Sequence, residues 1–178
     1  MKHLIYAVFA EYKNIVVFLH ILSAVIWVGG MIAMRFAAHQ SIQMIDSVPE
    51  KIERSSYALK RLFSIVAPFV VILIITAVIM AVGYGFRDSA VDASGHVLNN
   101  YAMFVYNMVH VKESLWVVMT VNFLAMVLKR NKAANLILNG DLIEAASKLK
   151  FIAKYMVPLN ILLGLAAIYL GVFLRNAY

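Results

Sequence analysis

Charged residues divide the chain into long apolar segments. Three uncharged stretches contain 21, 25 and 20 residues and lie between Lys13 and Arg35, Arg61 and Arg87, and Lys154 and Arg175. Each stretch matches the roughly 20 residues that a helix needs to cross a hydrocarbon layer of about 30 Å. The backbone must be helical there, because hydrocarbon offers its N–H and C=O groups no other partner. The pattern predicts membrane-spanning helices at approximately residues 14–37, 62–86 and 152–174.

A fourth apolar segment does not follow this rule. Only 15 uncharged residues separate Glu113 from Lys129, which is too short for a span. A helix of sufficient length, at approximately residues 104–128, has to bring His110, Lys112 and Glu113 to the membrane boundary or just inside it. Ionisable groups are costly in that position and usually functional. This cluster is therefore a first candidate site.

Composition supports an integral membrane protein. Hydrophobic residues make up 63% of the chain and charged residues 14%, against about 45–50% and about 25% in average soluble domains. These values exclude an ordinary soluble domain, a disordered chain and a nucleic-acid-binding module. The absence of cysteine excludes a disulfide scaffold, thiol catalysis and thiolate metal sites. We predict an all-α, four-transmembrane-helix bundle that forms one domain over residues 1–178, with the lipid bilayer as its main partner.

The basic residues predict the orientation of this bundle. Of the 16 lysines and arginines, 11 lie in the two connections 35–61 and 129–154, and 5 lie elsewhere. Basic loops usually face the cytoplasm, so we expect a multi-pass protein of the cytoplasmic (inner) membrane with both termini on the other side. The same asymmetry explains the net charge of +7 without a nucleic acid. A signal peptide is a poor interpretation of the first span, because Glu11 and Lys13 interrupt its start.

The connections carry recognisable local signals. Ser47-Val-Pro49-Glu50 and Asp141-Leu-Ile-Glu144 have the spacing of capping boxes and predict helix starts. The second of these helices is expected to continue into the last span. Residues 87–100 contain Ser, Gly and Asn and are interpreted as a plain surface loop.

His20 is the candidate ligand of the first span. Trp27 lies seven residues later and therefore on the same helix face. Gly29 and Gly30 follow and permit close approach of another helix or of a flat ligand. The alternative is a histidine hydrogen-bonded between helices, with the glycines serving packing alone.

His110 is the second candidate ligand. At 1.5 Å per residue, His20 and His110 lie about 22 and 28 Å from the basic anchors, so both occupy the outer half of the membrane. Two neutral imidazoles from different helices can bind a haem iron or contribute to a copper site. Glu113 can orient the second nitrogen of His110, and Lys112 can pair with a haem propionate. Alternatively, His110 and Lys112 are interfacial residues whose polar ends reach the headgroups.

Three further residues are candidate ligands. Met103 and Met108 lie near His110 and carry thioethers, which favour Cu(I), although methionine is also common packing material. His39 lies about 28 Å from His20 along a continuous helix and cannot share its metal. It can bind a second haem or contact a substrate. Alternatively, it lies at the membrane interface without such a role.

The segment His20-Ile-Leu-Ser-Ala-Val-Ile-Trp27-Val-Gly29-Gly30, with Arg35-Phe36-Ala-Ala-His39 after it, resembles the first-helix signature of a membrane superfamily. That superfamily includes CopD-type copper-resistance proteins and HemJ-type protoporphyrinogen oxidases. His110-Val-Lys112 is similar to its third-helix motif. The HemJ-type resemblance implies haem b, with His20 and also His110 as ligands and Trp27, Gly30, Arg35, His39, Lys112 and Glu113 around it. Two HemJ-type features are absent: Met34 rather than proline precedes Arg35, and the last helix has no Asn-Glu-x-Pro motif.

Three functions follow as hypotheses. The first is a haem b-binding membrane redox protein that transfers electrons to a quinone-like acceptor or acts on a porphyrin in a protoporphyrinogen-oxidase-like reaction. The second is a CopD-type copper transport or resistance protein. The third is a structural subunit of a membrane complex, in which the polar residues only join helices. Homo-oligomerisation is compatible with each of them.

Overall fold

The computed structural model describes residues 2–177, and most of them are helical. Within residues 2–177, seven α-helices follow one another, and two π-helical turns interrupt them. The bounds are α1 Lys2–Ala33, a π-turn Met34–Ala38, α2 His39–Gln43, α3 Val48–Gly83, α4 Phe86–Ala90, α5 Asn100–Leu138, α6 Leu142–Phe151, a π-turn Ile152–Met156 and α7 Val157–Asn176. Because α1 and α2, and likewise α6 and α7, join without a break, the chain forms four long helical rods.

The four rods run alternately up and down. α3 packs along α1, α5 packs against α3 and α7, and α7 closes the bundle against α1. One end of the bundle holds the two helix connections at residues 44–47 and 139–141, and is called the connection end below. The other end holds both chain termini and residues 91–99, and is called the terminal end. All four rods are long and apolar enough to cross a membrane.

The outward surface of the bundle is apolar. Only 17–28% of each rod's most apolar 18-residue window is buried inside the protein, so most of those side chains face outwards. The exposed residues include Ile15, Phe18, Val71, Ile75, Val121, Leu124, Leu162 and Tyr169. A soluble protein rarely exposes continuous apolar patches above a few hundred Å². The four-helix prediction is therefore confirmed at the level of an all-helical fold of membrane-protein character.

Both predicted helix starts and their N-cap residues are confirmed. The Ser47 side chain accepts a hydrogen bond from the Glu50 backbone N–H at the start of α3. Asp141 accepts one from the Glu144 N–H at the start of α6. These caps satisfy N–H groups that have no partner within the first turn. The expected continuation of α6 into the last rod is also present.

The interpretation of residues 87–100 as a plain loop is wrong in its first part. Phe86–Ala90 form the short helix α4, and the Asp88 carboxylate accepts hydrogen bonds from Lys2 Nζ at 2.7 Å and Tyr6 Oη at 2.6 Å. The start of α1 is thus attached to α4. Further on, the Ser94 hydroxyl and the His96 backbone N–H donate to the Asp92 carboxylate and hold its pKa below the ordinary value.

Neither π-turn was expected from the sequence. The second precedes Pro158, whose ring nitrogen has no hydrogen to donate into the helix. Widening the preceding turn from α to π geometry adds one residue and shifts the hydrogen-bond register before the proline. The Val157 N–H accordingly donates to the Ile152 carbonyl, five residues back. No comparable signal precedes the first π-turn at Met34–Ala38.

Close helix contacts hold α7 in place. A Cβ added to Gly164 would lie 2.5 Å from Val28 Cγ2 of α1 and 3.3 Å from the Met119 methyl group of α5. Asn122 Nδ2 donates to Asn160 Oδ1 and to the Met156 carbonyl, both at 2.8 Å. These contacts bring the backbone of α7 close to two neighbours at once, as small residues do between apolar helices.

The glycine contacts yield a matched pair of substitutions. Gly164→Ala should lower the free energy of unfolding by about 1–3 kcal/mol, because the branched Val28 side chain has to move. Gly29→Ala should be neutral or stabilising by up to about 1 kcal/mol, since no atom lies within 4 Å of its added Cβ and alanine favours helix. Thermal or denaturant unfolding in detergent measures both. Equal destabilisation by the two substitutions would contradict the observed packing of α7.

Candidate functional site

His20 is held between α1 and α3 by a specific hydrogen bond. Its Nδ1 lies 3.0 Å from the hydroxyl oxygen of Thr76, which is almost fully buried. The Thr76 hydroxyl donates to the Ile72 carbonyl at 2.8 Å, so its oxygen is the acceptor for His20. Nδ1 of His20 therefore carries the proton, and in the neutral ring Nε2 keeps its lone pair. A histidine whose other nitrogen is fixed in this way has the form of a metal ligand.

Lys112 is a charged group within the bundle. It is half-buried on α5, and its ammonium lies against α7, where an added Cβ on Gly171 would be 2.9 Å from Nζ. Within residues 2–177, Lys112 makes no hydrogen bond or ion pair. An amine that donates three hydrogen bonds is thus present in the bundle without an acceptor.

Further unpartnered donors continue along the same face of α5. Trp116 and Thr120 follow Lys112 at intervals of four residues, and therefore lie on one side of the helix over about 12 Å. Trp116 Nε1 and Thr120 Oγ1 are buried without a hydrogen-bond partner in the described chain, as is Trp27 Nε1 of α1. Buried polar atoms are normally paired, so a group of unpaired ones requires an explanation. We refer to Lys112, Trp116 and Thr120 as the donor row.

His110 lies outside this group. It precedes Lys112 by two residues, which places it almost opposite on a helix that turns 100° per residue. Its side chain is 53% exposed, and Nδ1 lies 2.9 Å from the Glu113 carboxylate. The Tyr106 ring packs edge-on against it, with centroids 4.5 Å apart. The expected partnership of His110 with Glu113 is present, whereas the structure does not bring His110 to His20.

Trp27 and Gly30 occupy packing positions deeper in the first rod. Trp27 is 1% exposed, and its ring meets Phe123 of α5 edge-on at 6.0 Å between centroids. A Cβ on Gly30 would lie 3.0 Å from Leu62 Cδ1 of α3. The surface at Gly30 is therefore occupied by a neighbouring helix.

Arg35 and His39 lie at the connection end, far along the rod from His20. Both side chains are half-buried and line a cavity between the rods. The sequence-predicted residues thus divide into three places: His20 with Lys112, His110 with Glu113, and Arg35 with His39. Among residues 2–177, no cluster of three or more His, Cys, Asp or Glu side chains has the arrangement of a metal site.

Trp116 and Thr120 were missed in the sequence. Their spacing of four and eight residues from Lys112 is visible there, but both residue types are ordinary in an apolar helix. Only their burial without partners distinguishes them.

No protein-family model matches the chain, and no curated protein or solved structure shows significant similarity to it. The site has to be interpreted from its own chemistry.

The unpaired Lys112 predicts an unusual stability change. Lys112→Met should raise the melting temperature of the ligand-free protein, because it removes a half-buried cation without a partner and keeps an unbranched side chain. Lys132→Met, at an exposed position of the same helix, is the control and should have little effect. Thermal unfolding in detergent compares the two. A lower melting temperature for Lys112→Met would show that the ammonium stabilises the fold by itself.

Proposed function

We propose that this chain is an integral protein of the cytoplasmic membrane that binds haem b at His20 and transfers electrons to a quinone-like acceptor. The observations that carry the proposal are the His20 imidazole fixed by Thr76 and the unpartnered donor row of α5. Lysine and tryptophan side chains donate hydrogen bonds and accept none, so a complementary ligand must be rich in acceptor oxygens. Carboxylates and quinone carbonyls both meet that requirement.

The residues at this place fit a haem chemically. His20 offers Nε2 of a neutral imidazole, which is a common axial ligand of haem iron. The Thr76 hydroxyl oxygen accepts a hydrogen bond from Nδ1–H and so fixes the ring in the tautomer that leaves Nε2 free. Lys112 supplies a positive charge for a propionate in surroundings of low polarity, where such a pair is strong. The haem would contribute the one-electron chemistry, while the helices bind it and exclude water.

The position of His110 favours a single histidine ligand from this bundle. Its ring lies on the opposite side of α5 from Lys112, and its side chain is 53% exposed. We infer that His110 and Glu113 belong to the surface of the terminal end. A contact with a donor protein or with a second copy of the chain is compatible with that position.

A visible spectrum of the purified protein tests haem binding. Protein produced with ample haem should show a Soret band, and His20→Ala should lose it because the axial ligand is removed. His110→Ala and the loop variant His96→Ala serve as matched controls and should retain the band. No Soret band in the unchanged protein would reject the proposal, and loss only in His110→Ala would reject the assignment of His20.

Metal analysis of the same preparation separates the other hypotheses. Copper without haem would favour a CopD-type function. The structure offers limited support for that, since Met108 packs against Val105, Val109 and Leu174 rather than beside His110. Stoichiometric recovery in a larger complex without any cofactor would favour a structural subunit.

The membrane orientation is proposed on separate grounds. The apolar outer surface supports contact with lipid, and the excess of basic residues at the connection end supports a cytoplasmic position for that end. Both termini and the 91–99 loop then lie on the opposite side.

Single cysteines test this orientation without background, because the natural chain contains none. Ser94→Cys should react with a membrane-impermeant maleimide in cells whose outer membrane is permeabilised and whose inner membrane is intact. Asn139→Cys should react only after the inner membrane is permeabilised. Both residues are exposed, so accessibility within the protein does not limit either reaction. The reverse labelling pattern would invert the topology.

A further inference from the structure

A cavity opens at the connection end of the bundle, well separated from His20 along the first rod. Its volume is about 370 Å³, within the range of small-molecule sites. The first rod, α3 and the α6–α7 rod each contribute to its wall. Both π-turns also reach it, through Met34, Arg35 and Ala153. Such turns are frequent at functional sites because they displace side chains from regular helical positions.

The polar lining of the cavity is entirely basic or neutral. Arg35, His39, Lys51 and Lys150 line it, and none of its described lining residues carries a carboxyl group. Within residues 2–177, none of these four side chains makes an ion pair or a hydrogen bond. Three permanent cations therefore surround a concave site without neutralising partners.

Two neighbouring basic residues on the same helices are paired. Arg54 lies 3.5 Å from Glu50 on α3, and Lys148 lies 2.8 Å from Glu144 on α6. The residues four positions before Lys51 and Lys150 are Ser47 and Ala146, so neither lysine has an acidic neighbour on its preceding turn. The charges of Arg54 and Lys148 are thus neutralised locally, whereas those of Lys51 and Lys150 at the cavity are not.

The remaining lining residues are mostly apolar. They include Ile42, Ile52, Leu59, Leu149 and Val157. The cavity also lies where apolar segments meet charge, since Arg35 ends the first uncharged stretch and the last one begins after Lys154. A ligand that suits both parts of the wall has an anionic group and an apolar portion.

We propose that this cavity binds the phosphate headgroup of an anionic phospholipid of the cytoplasmic leaflet. The three cations bind the phosphate, and the apolar wall accommodates the glycerol backbone and the upper part of the acyl chains. Basic groups near a membrane surface bind anionic lipids in this way. This inference requires the membrane topology proposed above but does not depend on haem.

Purified, delipidated full-length protein in neutral detergent provides the test. Phosphatidylglycerol added in mixed micelles should raise the melting temperature, whereas phosphatidylcholine should not. The double variant K51Q/K150Q should bind phosphatidylglycerol roughly tenfold or more weakly. The double variant R54Q/K148Q removes the same charge from the same two helices and should bind like the unchanged protein.

Each other outcome overturns the proposal. Equal weakening in both double variants would show a diffuse electrostatic effect rather than a site. A similar rise in melting temperature with inorganic phosphate or glycerol phosphate would assign the cavity to a water-soluble phosphate compound. No response to phosphatidylglycerol by the unchanged protein, with circular dichroism showing it to be folded, would exclude the lipid. Absorbance of bound haem is recorded separately, so failure here is distinguishable from failure of the haem proposal.

Discussion

The close approach of α7 to its two neighbours is the constraint on which the rest of the structure depends. Gly164 lets the α7 backbone lie against Val28 and Met119, and the Asn122–Asn160 hydrogen bond joins α7 to α5 at nearly the same level. Two helical turns further along α7, Gly171 leaves room for the Lys112 ammonium. A larger residue at Gly164 would displace α7, whereas one at Gly171 would displace the Lys112 ammonium.

The bundle places its two unusual groups of polar side chains at different levels. Towards the middle of the rods, His20 and the donor row offer one lone pair and several hydrogen-bond donors within the bundle. At the connection end, cations line an open cavity. Both arrangements leave polar or charged groups unsatisfied by the protein itself, and buried polar groups lower stability unless they are paired. The ligands proposed for the two places would account for their retention.

Local features were largely predictable from the sequence because they depend on neighbouring residues. Ser47 and Asp141 start helices by bonding N–H groups three residues later, and the uncharged stretches fix where long helices can lie. The hydrogen bond from His110 to Glu113 likewise follows from i, i+3 spacing. The short helix α4 and the π-turn at Met34–Ala38 were missed, since their sequences contain no strong start, stop or proline signal.

The sequence by itself determined four long apolar helices, their approximate ends, the basic connections and the list of candidate polar residues. The tertiary structure decided which of those residues meet. A helix that is apolar on both its buried and its exposed side has no hydrophobic periodicity that sets its rotation. The rotation of α5 is instead set by contacts with α7 and α3, which turn Lys112 towards Gly171 of α7 and leave His110 half-exposed. Contacts between distant segments likewise assemble Arg35, Lys51 and Lys150 around one cavity, because no local pattern relates three helices that far apart in the chain.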